Sequence, residues 1–135
     1  QRLAARADVV LVEGAGGFLV PLSDNESMAL IPAALQLPVI LVVGMRLGCI
    51  NHALLTQEAI RSRGLVLAGW IANSPDGTMN ARDENLATLT HMIEAPLIGD
   101  VGHWDLHGAT DTRQATRLAG ANLSTDLFFP ALPGR

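Results

Sequence analysis

Four short runs of nearly unbroken apolar residues constrain this chain more than anything else in it: 8–13 (DVVLVE), 38–44 (PVILVVG), 65–72 (LVLAGWIA) and 96–101 (PLIGDV). A strand with one wetted face alternates apolar and polar side chains, whereas an unalternating run marks a strand covered on both faces. Stretches of helical length separate the runs. The first opens at Ser23-Asp24-Asn25-Glu26, where Ser23 and Glu26 have capping-box spacing, and Pro32 is expected to kink or end it. The second follows Asn51 as N-cap and closes with Arg61 and Arg63 ahead of Gly64, a charge order that suits the helix dipole. The third begins near Asn80, carries Asp83 and Glu84 in its first turn, and sets Leu86, Leu89 and Ile93 on one face. A shorter helix is expected near 112–120, ending at Gly120. Strand and helix in alternation predict an α/β fold, a three-layer arrangement of one parallel sheet with helices on both faces. Such sheets bind ligands beyond the carboxyl ends of their strands, which places Glu13, Gly44 and Asn73 on one edge.

Composition narrows the function. Of 135 residues, 49% are hydrophobic and only 4% aromatic, so Leu, Ile, Val and Ala must build the core. A formal charge of −4, with no basic tract, argues against nucleic acid as a partner. The longest apolar stretch, around 37–45, is too short to span a bilayer, and no signal-like segment opens the chain, so no membrane role is expected. One cysteine cannot form an internal disulfide, which fits a cytoplasmic location. The chain starts at Gln1 and enters its first apolar run within eight residues, from which we expect that further sequence precedes it. It has no lysine; all nine basic side chains are arginine.

Several stretches can carry chemistry. Glu13-Gly14-Ala15-Gly16-Gly17 sets an acid at a strand end before a loop whose glycines let phosphate oxygens approach the main chain, while the acid takes a metal position. The plain alternative is a solvent-facing strand end with a flexible turn. A dinucleotide fingerprint fails, since Leu19 stands where the third glycine belongs. Around Gly48-Cys49-Ile50-Asn51 a helix start offers peptide N–H groups to an anion, or merely caps itself. Cys49 with His52 lacks a third group to make a thiolate nucleophile. Asn73 can read an amide or a base edge, or only begin the Ser74-Pro75-Asp76-Gly77 turn. His103, Asp105, His107 and Asp111 include metal-ligand types but have no helical spacing to set a geometry, and a polar loop is the better reading. Trp70 and Trp104 read as packing residues.

Taken together, VLVEGAGGFLVPLSD, LPVILVVGMRLGCINHALLT, LAGWIANSP and MIEAPLIGDV resemble dethiobiotin synthetases in order and spacing, over residues 8–101, with weaker similarity through LSTDLF at 123–128. LGCINHALLT after PVILVVG is the most distinctive element. The resemblance implies a P-loop NTPase-like fold and an ATP- and Mg²⁺-dependent, cytoplasmic, homodimeric enzyme that closes a ureido ring from 7,8-diaminononanoate and CO₂. It implies that Glu13 coordinates magnesium and that Gly14, Ala15 and Gly16 flank the phosphates. Asn73, with Ser74, would recognise adenine, and Gly102, His103 and Trp104 would lie beside the base, although the family usually has proline where Gly102 stands. Gly48, Cys49 and Asn51 would reach the diamine across the dimer interface. The family's G-x-x-x-x-G-K-[ST] loop and its other catalytic lysine do not occur in this lysine-free sequence. The resemblance therefore implies the carboxy-terminal part of such an enzyme, with amino-terminal strands and P-loop missing, and inactive alone because phosphoryl transfer depends on that loop. Two other readings stand beside it. One is a P-loop amidoligase of the cobyric acid synthase type, which also has a VEGAG-like strand end; the other is a non-catalytic binding or scaffold module.

Overall fold

The computed structural model of the chain describes residues 2–77, 79–103, 116, 120, 123 and 124. Its elements run α1 (Leu30–Leu35), β1 (Val39–Gly44), α2 (Cys49–Arg61), β2 (Leu67–Asn73), α3 (Arg82–Met92) and β3 (Leu97–Val101). The strands form one sheet in the order β1-β2-β3, and both pairings are parallel. This is the parallel, P-loop NTPase-like α/β class expected from the apolar runs. Parallel neighbours need a crossover, and α2 and α3 supply the two crossovers here.

The core lies between the sheet and α2 with α3. Val43 of β1, Trp70 and Ala72 of β2, Cys49 and Ala53 of α2, and Leu89 with Ile93 at the end of α3 form one buried cluster. Trp70 is fully enclosed and supplies bulk that a core otherwise made of small aliphatic side chains lacks. Its Nε1 is buried without a hydrogen-bond partner among the described residues. The face of α3 predicted from Leu86, Leu89 and Ile93 is the face that packs. Buried Gln57 fastens α2 to the far end of α3: its Nε2 donates to the Met92 carbonyl at 3.3 Å, and its Oε1 accepts from the Glu94 N–H at 2.8 Å. The end of α2 is also as expected. Gly64 takes φ +68°, its N–H bonds the Arg61 carbonyl at 2.9 Å, and the Arg63 guanidinium caps the Ala59 carbonyl at 3.0 Å.

Several expectations are corrected. The run 8–13 is not a strand: residues 9–12 join no ladder among the described residues, and Leu11 is 77% exposed. Its apolar composition is that of a strand, but a strand also needs a neighbour, and the described sheet begins at β1. Ser23 and Glu26 do not open a helix. The Leu22 and Ser23 N–H groups both bond the Glu26 carbonyl, at 2.8 and 3.3 Å, and a Pro21–Ser27 bridge closes a tight antiparallel turn. Pro32 neither kinks nor ends its helix; it lies in the first turn of α1, where a missing N–H leaves no bond unmade. Asn51 is inside α2, whose N-cap is Gly48 at φ +90°. The third helix starts at Arg82, behind Ala81 at φ +53°, rather than near Asn80. The expected helix 112–120 falls outside the described residues except for Thr116 and Gly120, both helical. Leu123 bridges Gly99, and the Ser124 N–H bonds the Ile98 carbonyl at 2.7 Å, so this piece of the distal segment runs beside β3.

Because Leu89 is wholly buried in that cluster, Leu89→Ala should lower the unfolding free energy by about 2–5 kcal/mol in denaturant titration. Leu47→Ala, at a side chain 96% exposed, should change it by less than about 0.5 kcal/mol. Equal effects would place the core elsewhere.

Candidate functional site

At the carboxyl edge of the sheet the strand ends are in register: Gly44 pairs with Asn73, and Asn73 with Val101. The chain leaving each strand is tied to the next. The Met45 N–H donates to the Asn73 carbonyl at 2.7 Å, and the Ser74 N–H to the Val101 carbonyl at 2.9 Å. Asn73 is thus fixed through its main chain while its side chain lies at the rim, half-buried. Gly102 and His103 follow directly and are exposed beside it. His103 Nδ1 lies 3.0 Å from the Pro75 carbonyl, and its ring lies where a Cβ on Gly77 would approach within 3.6 Å. The structure therefore brings Asn73, Ser74, Gly102 and His103 to one edge of the sheet. Trp104 and the Asp105, His107 and Asp111 positions lie outside the described residues.

Ser74 differs from its expected role beside the base. It is 3% exposed, and its Oγ accepts a hydrogen bond from Arg82 Nε at 2.9 Å. The same guanidinium forks onto Asp100 of β3, Nη1 reaching Oδ2 at 3.3 Å and Nη2 pairing with Oδ1. The hydrogen bond that Arg82 donates to Asp100 holds the guanidinium more firmly protonated than usual, against the opposing effect of burial. Sequence reasoning missed Arg82 altogether. A signal existed: a cation in the first turn of a helix opposes the dipole, so an arginine there calls for a partner.

Glu13 is not tied to this edge, because the run before it joins no ladder; the expected alignment of Glu13 with Gly44 and Asn73 holds only for the latter two. Its carboxylate is exposed and makes no hydrogen bond or ion pair with a described residue. The loop after it turns back against α2, where Phe18 and Leu19 line a hollow with Leu55, Thr56 and Ala59, and Arg63 lies 5.8 Å from the centre of the Phe18 ring. The glycines divide by cause. A Cβ on Gly14 would stand 3.0 Å from Met28 Cγ, and Gly16 takes φ +88°, so local packing and turn geometry account for those two. At Gly17 nothing lies within 4 Å, and the backbone is open to an approaching group. Among the described residues no three His, Cys, Asp or Glu side chains cluster to hold a metal. A carboxylate without a partner among the described residues, close to a glycine turn, would fit Mg²⁺, which keeps most of its waters and shares phosphate oxygens, better than a metal needing a protein cage.

At the start of α2, Gly48 and Asn51 are exposed, whereas Cys49 is 3% exposed and part of the core. A contact from position 49 to a substrate could come only from its main chain. The pairing of Cys49 with His52 as a nucleophile fails for the same reason. No helix among the described residues is long and apolar enough to cross a membrane.

A parallel sheet with a glycine-rich turn and a carboxyl-edge polar cluster is the frame of a nucleotide-handling α/β domain, and the chain belongs to the family described as AAA domain, whose model matches residues 1–108. Among individual proteins it is similar to the ATP-dependent dethiobiotin synthetase BioD of Aromatoleum aromaticum, 62% identical over 103 residues, which are 76% of this chain and 46% of that protein. The protein of the same name in Ralstonia nicotianae is 59% identical over 96 residues, 71% of this chain and 42% of the relative. The chain thus spans less than half the length of these curated relatives.

The placement of Cys49 is open to direct measurement. In native protein its thiol should be almost unreactive towards an aromatic disulfide reagent, and should react fully once denaturant unfolds the chain. Fast stoichiometric reaction under native conditions would contradict its burial.

Proposed function

We propose that this chain contributes the nucleotide-base side, one magnesium position and part of the diamine site to an ATP- and Mg²⁺-dependent dethiobiotin synthetase. The observation that carries the proposal is the register of Gly44, Asn73 and Val101, which gathers Asn73 and His103 at one rim in a chain 62% identical to a protein of that name. In the reaction, CO₂ adds to one amine of 7,8-diaminononanoate to give a carbamate, and the carbamate takes the γ-phosphoryl group of ATP. The second amine then attacks the activated carbon and expels phosphate, closing the ureido ring. Mg²⁺, when bound, would neutralise charge building on the phosphates.

The chain's own residues bind and orient. Asn73 offers an amide, donor and acceptor together, to the adenine edge. His103 and Gly102 flank the ring, and Trp104 belongs to the same stretch. Glu13 supplies a carboxylate to the metal, and the Gly14-Ala15-Gly16 turn lies beside the phosphates, with Gly17 next to it open to an approaching group. Gly48 and Asn51, with the Cys49 main chain, face the diamine in a cytoplasmic homodimer. Lysine is absent, so the neutralising side chain of a G-x-x-x-x-G-K-[ST] loop must come from elsewhere in the complete protein.

The proposal is tested by activity and binding together. This chain alone, given diamine, bicarbonate, Mg²⁺ and ATP, should release no phosphate above a blank, and robust turnover would overturn the assigned division of labour. In the complete enzyme, Asn73→Ala should weaken adenine-nucleotide binding by about 1–3 kcal/mol while the melting temperature holds. Glu13→Gln should lower kcat by roughly ten- to a thousand-fold, about 1.4–4 kcal/mol, with partial recovery at raised Mg²⁺. Wild-type kinetics in Glu13→Gln would remove it from the metal site.

A further inference from the structure

The start of α3 carries two local costs at once. Ala81, its N-cap, sits at φ +53°, a left-handed conformation that a side chain disfavours, and makes no side-chain cap. Arg82, the first helical residue, puts a cation at the positive end of the helix dipole. A sequence free to choose would avoid both, so a tertiary interaction must over-determine this point. That interaction is visible. The Arg82 guanidinium bridges Ser74 Oγ at 2.9 Å and both carboxylate oxygens of Asp100, tying α3, the residue after β2 and the body of β3 into one unit.

Beyond the Ser74 N–H bond to the Val101 carbonyl, the turn that follows Asn73 is held by side chains. An open depression of about 460 Å³, lined by Gly77, Met79, Ala81, Arg82, Asp83 and Glu84, separates it from the first turn of α3. Its anchors are polar: Arg82 on Ser74 from one side, and His103 on the Pro75 carbonyl at 3.0 Å from the other. Ser74 is adjacent to Asn73 in the chain, and Asp100 lies one residue before Val101, the register partner of Asn73. Arg82 therefore grips both chain segments that flank Asn73 without reaching the rim itself.

We propose that Arg82 is a positioning residue for base recognition, setting through Ser74 and Asp100 the direction of the Asn73 amide and with it the preference for one purine over another. The inference rests on the reading of Asn73 as the residue that meets the base. Arginine is required because its planar fork serves Ser74 and Asp100 together, whereas a lysine ammonium is a point charge on a flexible stem. Arg82→Lys should therefore retain the ion pair and most stability but lose the fixed orientation.

The test uses the complete enzyme and calorimetric titration with a non-hydrolysable ATP analogue and its GTP counterpart, for wild type, Asn73→Ala, Arg82→Lys, Arg82→Ala and the Asn73→Ala/Arg82→Ala double variant. Arg82→Ala should raise the dissociation constant for the ATP analogue up to roughly tenfold, the scale of one lost neutral hydrogen bond between the Asn73 amide and the base, and narrow the ATP:GTP ratio. Arg82→Lys should show the narrowed ratio with a melting temperature near wild type, so the result does not hinge on the alanine variant folding. KM for the diamine should stay unchanged in Arg82→Lys. The double variant should bind no more weakly than the worse single one, since both act on one contact. If Asn73→Ala weakens ATP binding but Arg82→Lys and Arg82→Ala keep the wild-type ratio and only lower the melting temperature, Arg82 is purely structural and this inference falls alone. If Asn73→Ala itself leaves binding unchanged, the base-recognition reading fails and takes the inference with it.

Discussion

β2 is the strand on which the rest of the structure depends, because it pairs in parallel on both sides and its register carries every other alignment. Ladder bonds to β1 and β3 place Gly44, Asn73 and Val101 side by side, and the side chain of Trp70 on the same strand fills the core beneath them. Slipping β2 by one residue would turn Trp70 away from α2 and α3 and send Asn73 off the rim. The burial of one tryptophan and the placement of one amide are therefore a single constraint. Core packing, which is indifferent to chemistry, fixes where the chemistry can occur.

How much of this was legible in the sequence varied with how local the cause is. β1, β2 and β3 announced themselves through their apolar runs, although β1 is covered on one face only among the described residues, and α3 through the spacing of Leu86, Leu89 and Ile93. Gly64 was legible too, since a left-handed helix end almost demands it. The run 8–13 was misread because its composition describes an environment, not a partner. Ser23 and Glu26 were misread because their three-residue spacing serves a tight turn as well as a capping box. Asn51 and Pro32 were misplaced by a few positions, which changed their roles entirely: an N-cap became an exposed first-turn residue, and a breaker became an ordinary first-turn proline.

The candidate site divides in the same way. Gly44 and Asn73 share an edge as expected, since parallel topology puts the ends of neighbouring strands together, and Gly102 and His103 follow β3 to the same edge. Ser74 belongs to that cluster too, yet its hydroxyl faces inward to Arg82, a direction no spacing rule contains. Arg82 itself could be found only by asking why a cation should sit at a helix start. Cys49 stands near His52 in the sequence, was not read as a nucleophile for want of a third group, and is part of the core.

One feature of the sheet bears on how the chain behaves as material. β1 has β2 on one side and no described strand on the other, and Val42 on its surface is 57% exposed. Its outer N–H and C=O groups form a template for a further strand, while residues 9–12 have strand composition and no ladder among the described residues. Among the described residues, an edge with unpaired main-chain groups and a segment of strand composition thus occur in the same molecule. Pairing within a copy is independent of concentration, but pairing between copies grows with it. For the isolated chain, protein concentration becomes a variable of conformation as well as of solubility, and dilution favours the solitary fold.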